Sequence, residues 1–345
     1  MVTPGLTKYE VVWTDPKDGK EYFLRELIEE LTIEDRLDEI ALRGRARLQV
    51  PTGDPFTSMP IIKCGSRIRI SGMPFGSTDM VYLLQPGVVW DISIPNQGRR
   101  HWDIIMYDPT IYLAKSDEEY IMPAGQTASE RLQQYAKDWG IPIYNIPDTG
   151  VKLAKGIYRA QPIWQIIQED LKETATKGGK MYRPRWTPNG LTLFEIGSNE
   201  IIWVLEFRSN LEKVMQRQSL EGVVTRVKIL GNAEGDNRSP VLATVDGNIK
   251  DYGVLQKVVS DSKNTTAADA KKAANTILND MQQESVEVTA IDINTIRAGD
   301  RVDIEGWPDL IVESVSHQCG SPGHMTLTLM PRELIRRIHY VNESV

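Results

Sequence analysis

Histidines are the residues in this chain with the most evident capacity for chemistry, and there are four: His101, His317, His324 and His339. His317 and His324 flank Cys319 in one short segment, so two imidazoles and a thiol could share a metal ion there. A structural zinc site normally has four ligands, and no fourth is evident nearby. We therefore predict a strand-turn-strand with polar turn residues, while metal binding by this turn stays open as the alternative.

Motifs of established enzymes are missing from the sequence. It contains no H-E-x-x-H pair, no G-x-S-x-G elbow and no Walker-type glycine loop. The acidic pairs Glu29-Glu30 and Glu118-Glu119 are interpreted as solvated faces, because no neighbouring pattern indicates a carbohydrate cleft. We predict that the chain is not an enzyme, with no catalytic residues, no cofactor and no metal centre.

Three arginines, Arg43, Arg45 and Arg47, alternate with small or apolar residues and would share one face of a strand. We interpret them as a solvated face or an inter-subunit row of ion pairs, with a phosphate-binding stripe as the alternative. The net charge of −7 and the pI of about 5.4 argue against specific nucleic-acid binding, because affinity for DNA comes largely from neutralising phosphates.

The length of 345 residues exceeds the roughly 250–300 at which one core stops growing, so several domains are expected. No apolar stretch approaches the roughly 20 residues that span a bilayer, and no membrane span is predicted. The N-terminus lacks a basic start followed by an apolar core, so no secretory signal is predicted and we expect the chain to fold in a cytoplasm. Cys64 and Cys319 are too few for a disulfide scaffold and are predicted to be reduced, buried thiols.

The pattern predicts a first block, residues 1–114, of short strands separated by Gly, Pro or Asp clusters, as in a barrel or sandwich. Its predicted strands are 9–13, 42–50, 67–71, 80–84, 88–94 and 100–107. Segment 25–40 is ambiguous between helix and strand, and we favour a strand from about residue 30.

A second block, residues 115–200, has the pattern of a small α/β unit. Thr127 and Glu130 form a capping box for a helix that ends at Gly140, and a second helix begins at Pro162 and ends near residue 177. A hairpin over 181–186 and 191–196 follows. Most of the eight tryptophans are predicted to be core or interface anchors, with a sugar-binding platform as the alternative for Trp164 and Trp186.

A third block, residues 201–345, returns to strands and is interrupted by one helix. The predicted strands are 201–207, 223–230, 241–245, 254–259, 286–293, 301–305, 310–317 and 325–330. Thr266 caps the helix, whose alanine-rich stripe extends to Met281. A basic helix over 331–340 ends the block, and its apolar Leu334, Ile335 and Ile338 are expected to dock on another chain.

Six runs of sequence, in this order and spacing, resemble the baseplate hub proteins of contractile phage tails and tail-like bacteriocins, the family sometimes called late control protein D. The first run is Tyr107-Asp108-Pro109 through Leu113. The others are 127–142, 149–151, 223–229, 252–256 and 324–329. The resemblance implies a mainly β, α+β fold, with two tube-protein-like β-barrel domains (1–114 and 201–345) and an α/β insertion domain (115–200).

The same resemblance implies a homotrimer around an axial channel, joining a central spike protein to a tail tube or tube-initiator protein beside other baseplate proteins. The protein would be assembled in the bacterial cytoplasm and would then lie in the baseplate of a virion or an extracellular tail-like particle. Two other classes stay open. Lys155-Gly156 and the run 162–167 faintly resemble a lysin-motif opening, which would indicate a cell-wall-binding or wall-degrading tail component. The third class is a receptor-binding tail protein.

Overall fold

The computed structural model describes residues 8–50, 62–94, 100–232, 237–260, 266–279 and 282–341. Strands dominate the described residues, and three of their six α-helices lie in the middle of the chain. The predicted class, α+β and mainly β, is confirmed. Within the described residues, no helix has the length and apolar character needed to cross a membrane.

In the first part of the chain, the described residues form seven strands: β1 (Tyr9–Thr14), β2 (Glu21–Phe23), β3 (Ile28–Arg36), β4 (Arg43–Val50), β5 (Arg67–Gly72), β6 (Val81–Ser93) and β7 (Arg100–Tyr107). The strand predicted near residue 30 is confirmed as part of β3. The two strands predicted at 80–84 and 88–94 are wrong as separate elements, because β6 continues through Pro86. A register shift against β5 between Leu84 and Gly87 accommodates the proline, which has no N–H to donate.

The middle of the chain contains α1 (Ile111–Lys115), β8 (Asp117–Met122), α2 (Ala128–Asp138), β9 (Ile143–Asn145), β10 (Gly156–Pro162), α3 (Ile163–Thr176), β11 (Tyr182–Thr187) and β12 (Gly190–Glu195). The capping box at α2 is confirmed, with Thr127 accepting from the Glu130 amide and Glu130 accepting from the Thr127 amide. The predicted hairpin is β11 paired with β12.

The last part contains β13 (Trp203–Leu205), β14 (Leu211–Ser219), β15 (Arg226–Leu230), β16 (Val241–Asp246), α4 (Ile249–Tyr252), β17 (Gln256–Ser260), α5 (Ala267–Ile277), β18 (Gln283–Ile291), β19 (Arg301–Ile304), β20 (Trp307–Gln318), β21 (His324–Pro331) and α6 (Arg332–Tyr340). Strand β14 was not predicted. The predicted α5 is confirmed, although Met281 of its proposed stripe lies outside the described residues.

The prediction that α6 docks on another chain is wrong for Leu334 and Ile335. Both side chains are buried within their own chain, and Ile335 belongs to the same apolar core as Leu171 of α3. Ile338 is the exposed member of the three. The helix packs inward because its apolar positions complete the core beneath α3.

One large sheet takes strands from both ends of the chain, in the order β14-β18-β21-β20-β3-β4-β7-β6-β5-β1-β2, with β19 beside β20 and β13 beside β19. This order contains a repeat. The series β3-β4-β7-β6-β5-β1 in one half corresponds to β14-β18-β21-β20-β19-β13 in the other. One difference is that β1 pairs antiparallel with β5, whereas β13 pairs parallel with β19.

Irregularities in the two halves fall at corresponding places. Strand β6 is bulged against β7 between Val89 and Asp91, and β20 is bulged against β21 between Val312 and Ser314. The register shift of β5 against β6 between Ile68 and Ile70 corresponds to the shift of β19 against β20 between Val302 and Ile304. A bulge depends on local sequence and is an unusual feature of a strand, so coincident bulges indicate a common architecture for the two halves.

The loops before β5 and β19 also correspond. Gly65 and Gly299 both have positive φ, 85° and 87°, which an L side chain rarely adopts. The Gly65 amide donates to the Val89 carbonyl and the Gly299 amide donates to the Val312 carbonyl, each at 2.7 Å. The segments 62–72 and 296–306 share Ile, Gly, Arg, Ile and Gly at matching positions.

The described residues form two compact units, the first within 8–215 and 286–341 and the second within 216–285. The first contains three apolar cores, one in each sheet half and one beneath the central helices. In the second, α5 covers one face of the small sheet formed by β16, β15 and β17. The predicted division at residues 114 and 200 stays a prediction.

Candidate functional site

The joint between the two sheet halves is the pairing of β20 with β3, which is antiparallel and places Ser316 opposite Glu34 and His317 opposite Ile33. Backbone hydrogen bonds extend past both ends of the paired segment. The Cys319 amide donates to the Leu31 carbonyl at 2.9 Å, and the Leu37 amide donates to the Glu313 carbonyl at 2.9 Å. The halves are therefore connected by main-chain bonds as well as by side chains.

A buried charge cluster reinforces this joint. Asp35 of β3 is 1% exposed and accepts from Arg183 Nη2 at 3.0 Å, from Arg297 Nε at 2.5 Å and from the Ala298 amide at 3.2 Å. Burial alone would raise the pKa of Asp35, but the neighbouring guanidinium groups outweigh it and hold that pKa well below its usual range. Asp35 is therefore a permanent anion that holds cations from two distant segments.

Arg185 extends the cluster. Its Nη2 donates to Asp300 Oδ1 at 2.8 Å and to the Ala298 carbonyl at 2.5 Å, and its guanidinium lies 3.4 Å from the ring centroid of Phe194. Burial lowers the pKa of Arg185 to about 10, so it stays charged near neutral pH. The cluster thus connects β3, the β11 hairpin and the loop before β19.

The predicted turn around His317 is a strand-turn-strand, formed by β20 and β21. His317 is buried, with Nδ1 2.6 Å from Asp292 Oδ1 and Nε2 2.9 Å from the Ile296 carbonyl oxygen. His324 instead lies 3.0 Å from Glu212 Oε1 at the surface. The two imidazoles therefore have separate partners, and no cluster of three or more metal-ligating side chains exists among the described residues.

The two cysteines occupy different environments. Cys319 is buried as predicted, and burial raises the pKa of its thiol well above the usual value. The prediction that Cys64 is buried is wrong, because it lies exposed in the loop before β5. That loop corresponds to the one containing Ala298, which is fully buried at the joint.

The arginine row on β4 faces carboxylates of the same chain. Arg43 and Arg45 both pair with Glu34 of β3. Arg47 Nε lies 2.7 Å from Asp103 Oδ1 of β7. The row is thus an intrachain set of cross-strand ion pairs, an arrangement that leaves little uncompensated charge for phosphate.

The acidic pairs also have local partners. Glu29 lies 3.0 Å from His101 Nδ1, while Glu119 pairs with Arg159 across β8 and β10. Glu118 accepts from the amide of Glu119 at 2.9 Å. These contacts belong to exposed strand surfaces, in agreement with their interpretation as solvated faces.

The two tryptophans considered as a sugar platform are packed against the protein. Trp186 is 8% exposed, and its indole N–H donates to the Gln85 carbonyl at 2.7 Å. Trp164 is half-buried and donates to the Asp38 carbonyl at 3.2 Å. Trp186 is too buried to stack on a sugar, and Trp164 packs against the apolar core beneath the central helices.

A second cluster of buried polar side chains connects elements of the α/β block, and the sequence analysis did not predict it. Arg131 Nη1 donates to Asp170 Oδ1 at 2.6 Å, and the hydroxyls of Tyr135 and Tyr158 donate to the same carboxylate at 2.9 and 2.6 Å. Burial raises the pKa of Asp170, although these donors favour its charged form. One sequence signal could have indicated this buried cluster: Arg131 stands among apolar residues on a predicted helix.

Asp108 explains the Tyr-Asp-Pro run. It is fully buried and accepts from the Leu42 amide and from the Thr110 amide, both at 2.8 Å, and from the Thr110 hydroxyl at 2.5 Å. Burial raises the pKa of Asp108 to about 6. The aspartate ends β7 and starts α1, so its role here is architectural.

Comparison with models of protein families identifies the family of this chain. A family model described as YQBQ-like matches residues 65–330. The chain belongs to the YQBQ-like family. A curated relative, the uncharacterized protein YqbQ of Bacillus subtilis (strain 168), is 26% identical over 240 residues, which cover 69% of this chain and 72% of that protein.

Solved structures of tail proteins share the fold of this family member. The 43 kDa tail protein of prophage MuSo2 from Shewanella oneidensis has a TM-score of 0.68 at 13% identity, covering 94% of this chain and 99% of that one. A tail protein from Neisseria meningitidis MC58 has a TM-score of 0.64 at 14% identity, covering 96% and 99%.

A third solved structure is E. coli c3393, a component of the type VI secretion system with structural similarity to the T4 bacteriophage tail proteins gp27 and gp5. It has a TM-score of 0.51 at 10% identity, covering 91% of this chain and 76% of that one. At such identities the likeness shows a common fold.

Proposed function

We propose that this protein is a structural baseplate hub of a phage tail or tail-like particle, which trimerises to join a central spike to the tail tube around an axial channel. The observation that carries the proposal is the repeated sheet. One chain contributes two halves with the same strand order, and their joint is a main-chain strand pairing. Three chains would supply six such halves in a ring.

A ring of six similar halves made from three chains matches a three-fold partner on one side and a six-fold partner on the other. Association through two different, complementary surfaces gives a closed ring when the rotation between neighbouring copies closes. The fold shared with tail proteins and with a secretion-system component similar to gp27 and gp5 supports this role. The spike, the tube and neighbouring baseplate proteins are the expected partners.

Co-purification tests the proposal. The chain would be expressed with the spike protein and the tube protein of its own particle, each with a different affinity tag. Recovery of all three proteins through either tag is the expected result. A chain that binds neither partner, alone or together, would contradict the hub role, and binding to a host surface receptor instead would favour the receptor-binding class.

A non-enzymatic role forms part of the proposal. Glu29 and Glu119 pair with His101 and Arg159, Glu118 accepts from a backbone amide, and the buried carboxylates Asp35 and Asp170 each accept from an arginine. On purified peptidoglycan we expect neither clearing in a zymogram nor retention in a pull-down. Clearing that disappears in Glu118→Gln or Glu119→Gln would establish the wall-degrading alternative.

A further inference from the structure

A cavity of about 150 Å³ lies beside the joint between the two sheet halves. Its lining comes from β3, from the start of β6, from the segment between β18 and β19, and from β20. We propose that this cavity binds a small carboxylic acid that also carries an N–H or O–H donor. The site is separate from the hub role, because it is complete within the first compact unit of one chain.

The lining has a buried inner part and an exposed mouth. The inner residues are all buried, namely Ile33, Leu42, Asn294 and His317. The residues at the mouth are all exposed, namely Val81, Tyr82 and Thr295. A ligand can therefore enter from the surface and reach side chains that bulk solvent does not.

Two buried polar atoms of the lining residues have no hydrogen-bond partner within the part of the chain that the structure describes. They are Asn294 Oδ1, an acceptor, and Arg297 Nη2, a charged donor. The Asn294 amide is oriented by its Nδ2, which donates to the Met73 carbonyl at 3.0 Å, so Oδ1 is the atom left over. Buried polar groups in proteins nearly always have partners, so a polar molecule in the cavity is the expected complement.

The other polar groups around the inner part are already engaged. Both ring nitrogens of His317 have partners, one of them Asp292, so this residue contributes only the surface of its ring. Arg297 Nε donates to Asp35, a carboxylate that also accepts from Arg183. The Arg297 guanidinium thus has one edge held by a shared carboxylate and its Nη2 group available for another.

The size and the chemistry of the lining select the class of ligand. A cavity of about this volume holds a molecule the size of benzene, with about six non-hydrogen atoms. A carboxylate is the natural acceptor for a guanidinium, and a donor elsewhere on the ligand would satisfy Asn294 Oδ1. Ile33 and Leu42 supply apolar surface for carbon atoms, which favours an organic acid over inorganic phosphate. Lactate has this size together with a carboxylate and a hydroxyl, and is the probe used below.

Methyl NMR of the full chain, with isotope-labelled Ile and Leu methyl groups, tests the site. Lactate should shift the methyl signals of Ile33 and Leu42 with a Kd of about 1 mM, as expected for so small a ligand. The signal of Ile121, which is 60% exposed on β8, should not move. Propionate lacks the hydroxyl and propylene glycol lacks the carboxylate, so each should bind about tenfold more weakly or worse.

Two substitutions in the lining should remove the lactate-induced shifts. Arg297→Gln removes the charged donor, and Asn294→Leu removes the acceptor while leaving every ion pair in place. Arg301→Gln is the matched control, because Arg301 lies in the same part of the chain but pairs with Asp303 and Asp309 outside the cavity. Melting temperatures are measured for all three, and Asn294→Leu decides the test if loss of the Arg297 pair with Asp35 unfolds the other variant.

The titrations have outcomes that overturn the proposal. Lactate at about 20 mM that leaves the Ile33 and Leu42 signals unmoved would overturn it, as would equal affinity for lactate and propionate. Tighter binding of inorganic phosphate than of lactate would overturn the carboxylate class.

A last titration distinguishes two sources of the same chemistry. Acetylalanine imitates the C-terminal residue of a polypeptide that enters through the mouth, whereas lactate imitates a free acid. Tighter binding of acetylalanine supports the proposal with a chain end as the ligand, and tighter binding of lactate supports it with a free acid. None of these results bears on the hub role, which co-purification tests.

Discussion

Arg183 and Asp35 form a buried ion pair across 148 positions of sequence, with Arg183 Nη2 donating to Asp35 Oδ1 at 3.0 Å. Both side chains are almost fully buried, at 2% and 0% exposure. The same guanidinium donates to the carbonyls of Ala298, Arg36 and Glu39. One side chain of the β11 hairpin therefore secures both sides of the joint between the sheet halves.

Removing this guanidinium should destabilise the first compact unit strongly. Arg183→Met leaves Asp35 with one fewer cation in a buried site, and the expected loss in the free energy of unfolding is about 3–5 kcal/mol. Urea denaturation measures it. Lys180→Met is the control on the same hairpin, since Lys180 forms an exposed pair with Glu195, and its midpoint should stay unchanged. Equal effects of the two variants would contradict the role assigned to the cluster.

Asp108 should make stability fall as pH rises. Its folded pKa of about 6 is above the unfolded value near 4, so its contribution is fully present below pH 4 and lost as pH rises through 6. Compared with Asp108→Asn, the native chain should lose up to about 3 kcal/mol between these limits. Denaturation at a series of pH values checks this, and parallel curves for the two proteins would refute it.

His339 should have the opposite effect on acidification. Burial, with help from the charges of Lys172 and Arg183, lowers the pKa of His339 to about 4. The unfolded chain takes up the proton first, so stability is retained above pH 6.5 and lost as pH falls toward 4, by up to about 3 kcal/mol. His339→Leu should flatten this part of the profile, and an unchanged slope in the variant would be the contrary result.

The arginine row on β4 should not bind nucleic acid. Arg43, Arg45 and Arg47 already face Glu34 and Asp103, so DNA would have to compete with carboxylates held on neighbouring strands. Fluorescence anisotropy with labelled duplex DNA should show no salt-dependent binding for the native chain or for the triple glutamine variant. Binding that disappears in the triple variant would reinstate the phosphate stripe.

Local signals in the sequence predicted most of the elements. The Thr127 capping box and the turn between β11 and β12 involve contacts within a few residues, which sequence patterns report directly. Strand β14 escaped prediction because most of its side chains are exposed, so apolar and polar residues do not alternate along it.

Long-range features could not be predicted in the same way. The partners of Asp35 lie at positions 183 and 297, and nothing in the local sequence indicates that these charges meet. The family resemblance implied two similar domains, but the residue pattern alone did not reveal the repeat, because its halves share backbone geometry more than side chains. Only after the bulges at Val89 and Val312 are aligned does the short similarity between 62–72 and 296–306 become evident.

The copy number in the assembled complex tests the central claim most directly. Native mass spectrometry of the chain co-assembled with its spike and tube proteins should give three copies of the 38.9 kDa chain per spike trimer. A complex that contains one, two or six copies, or a chain that stays monomeric beside both partners, would contradict the hub account.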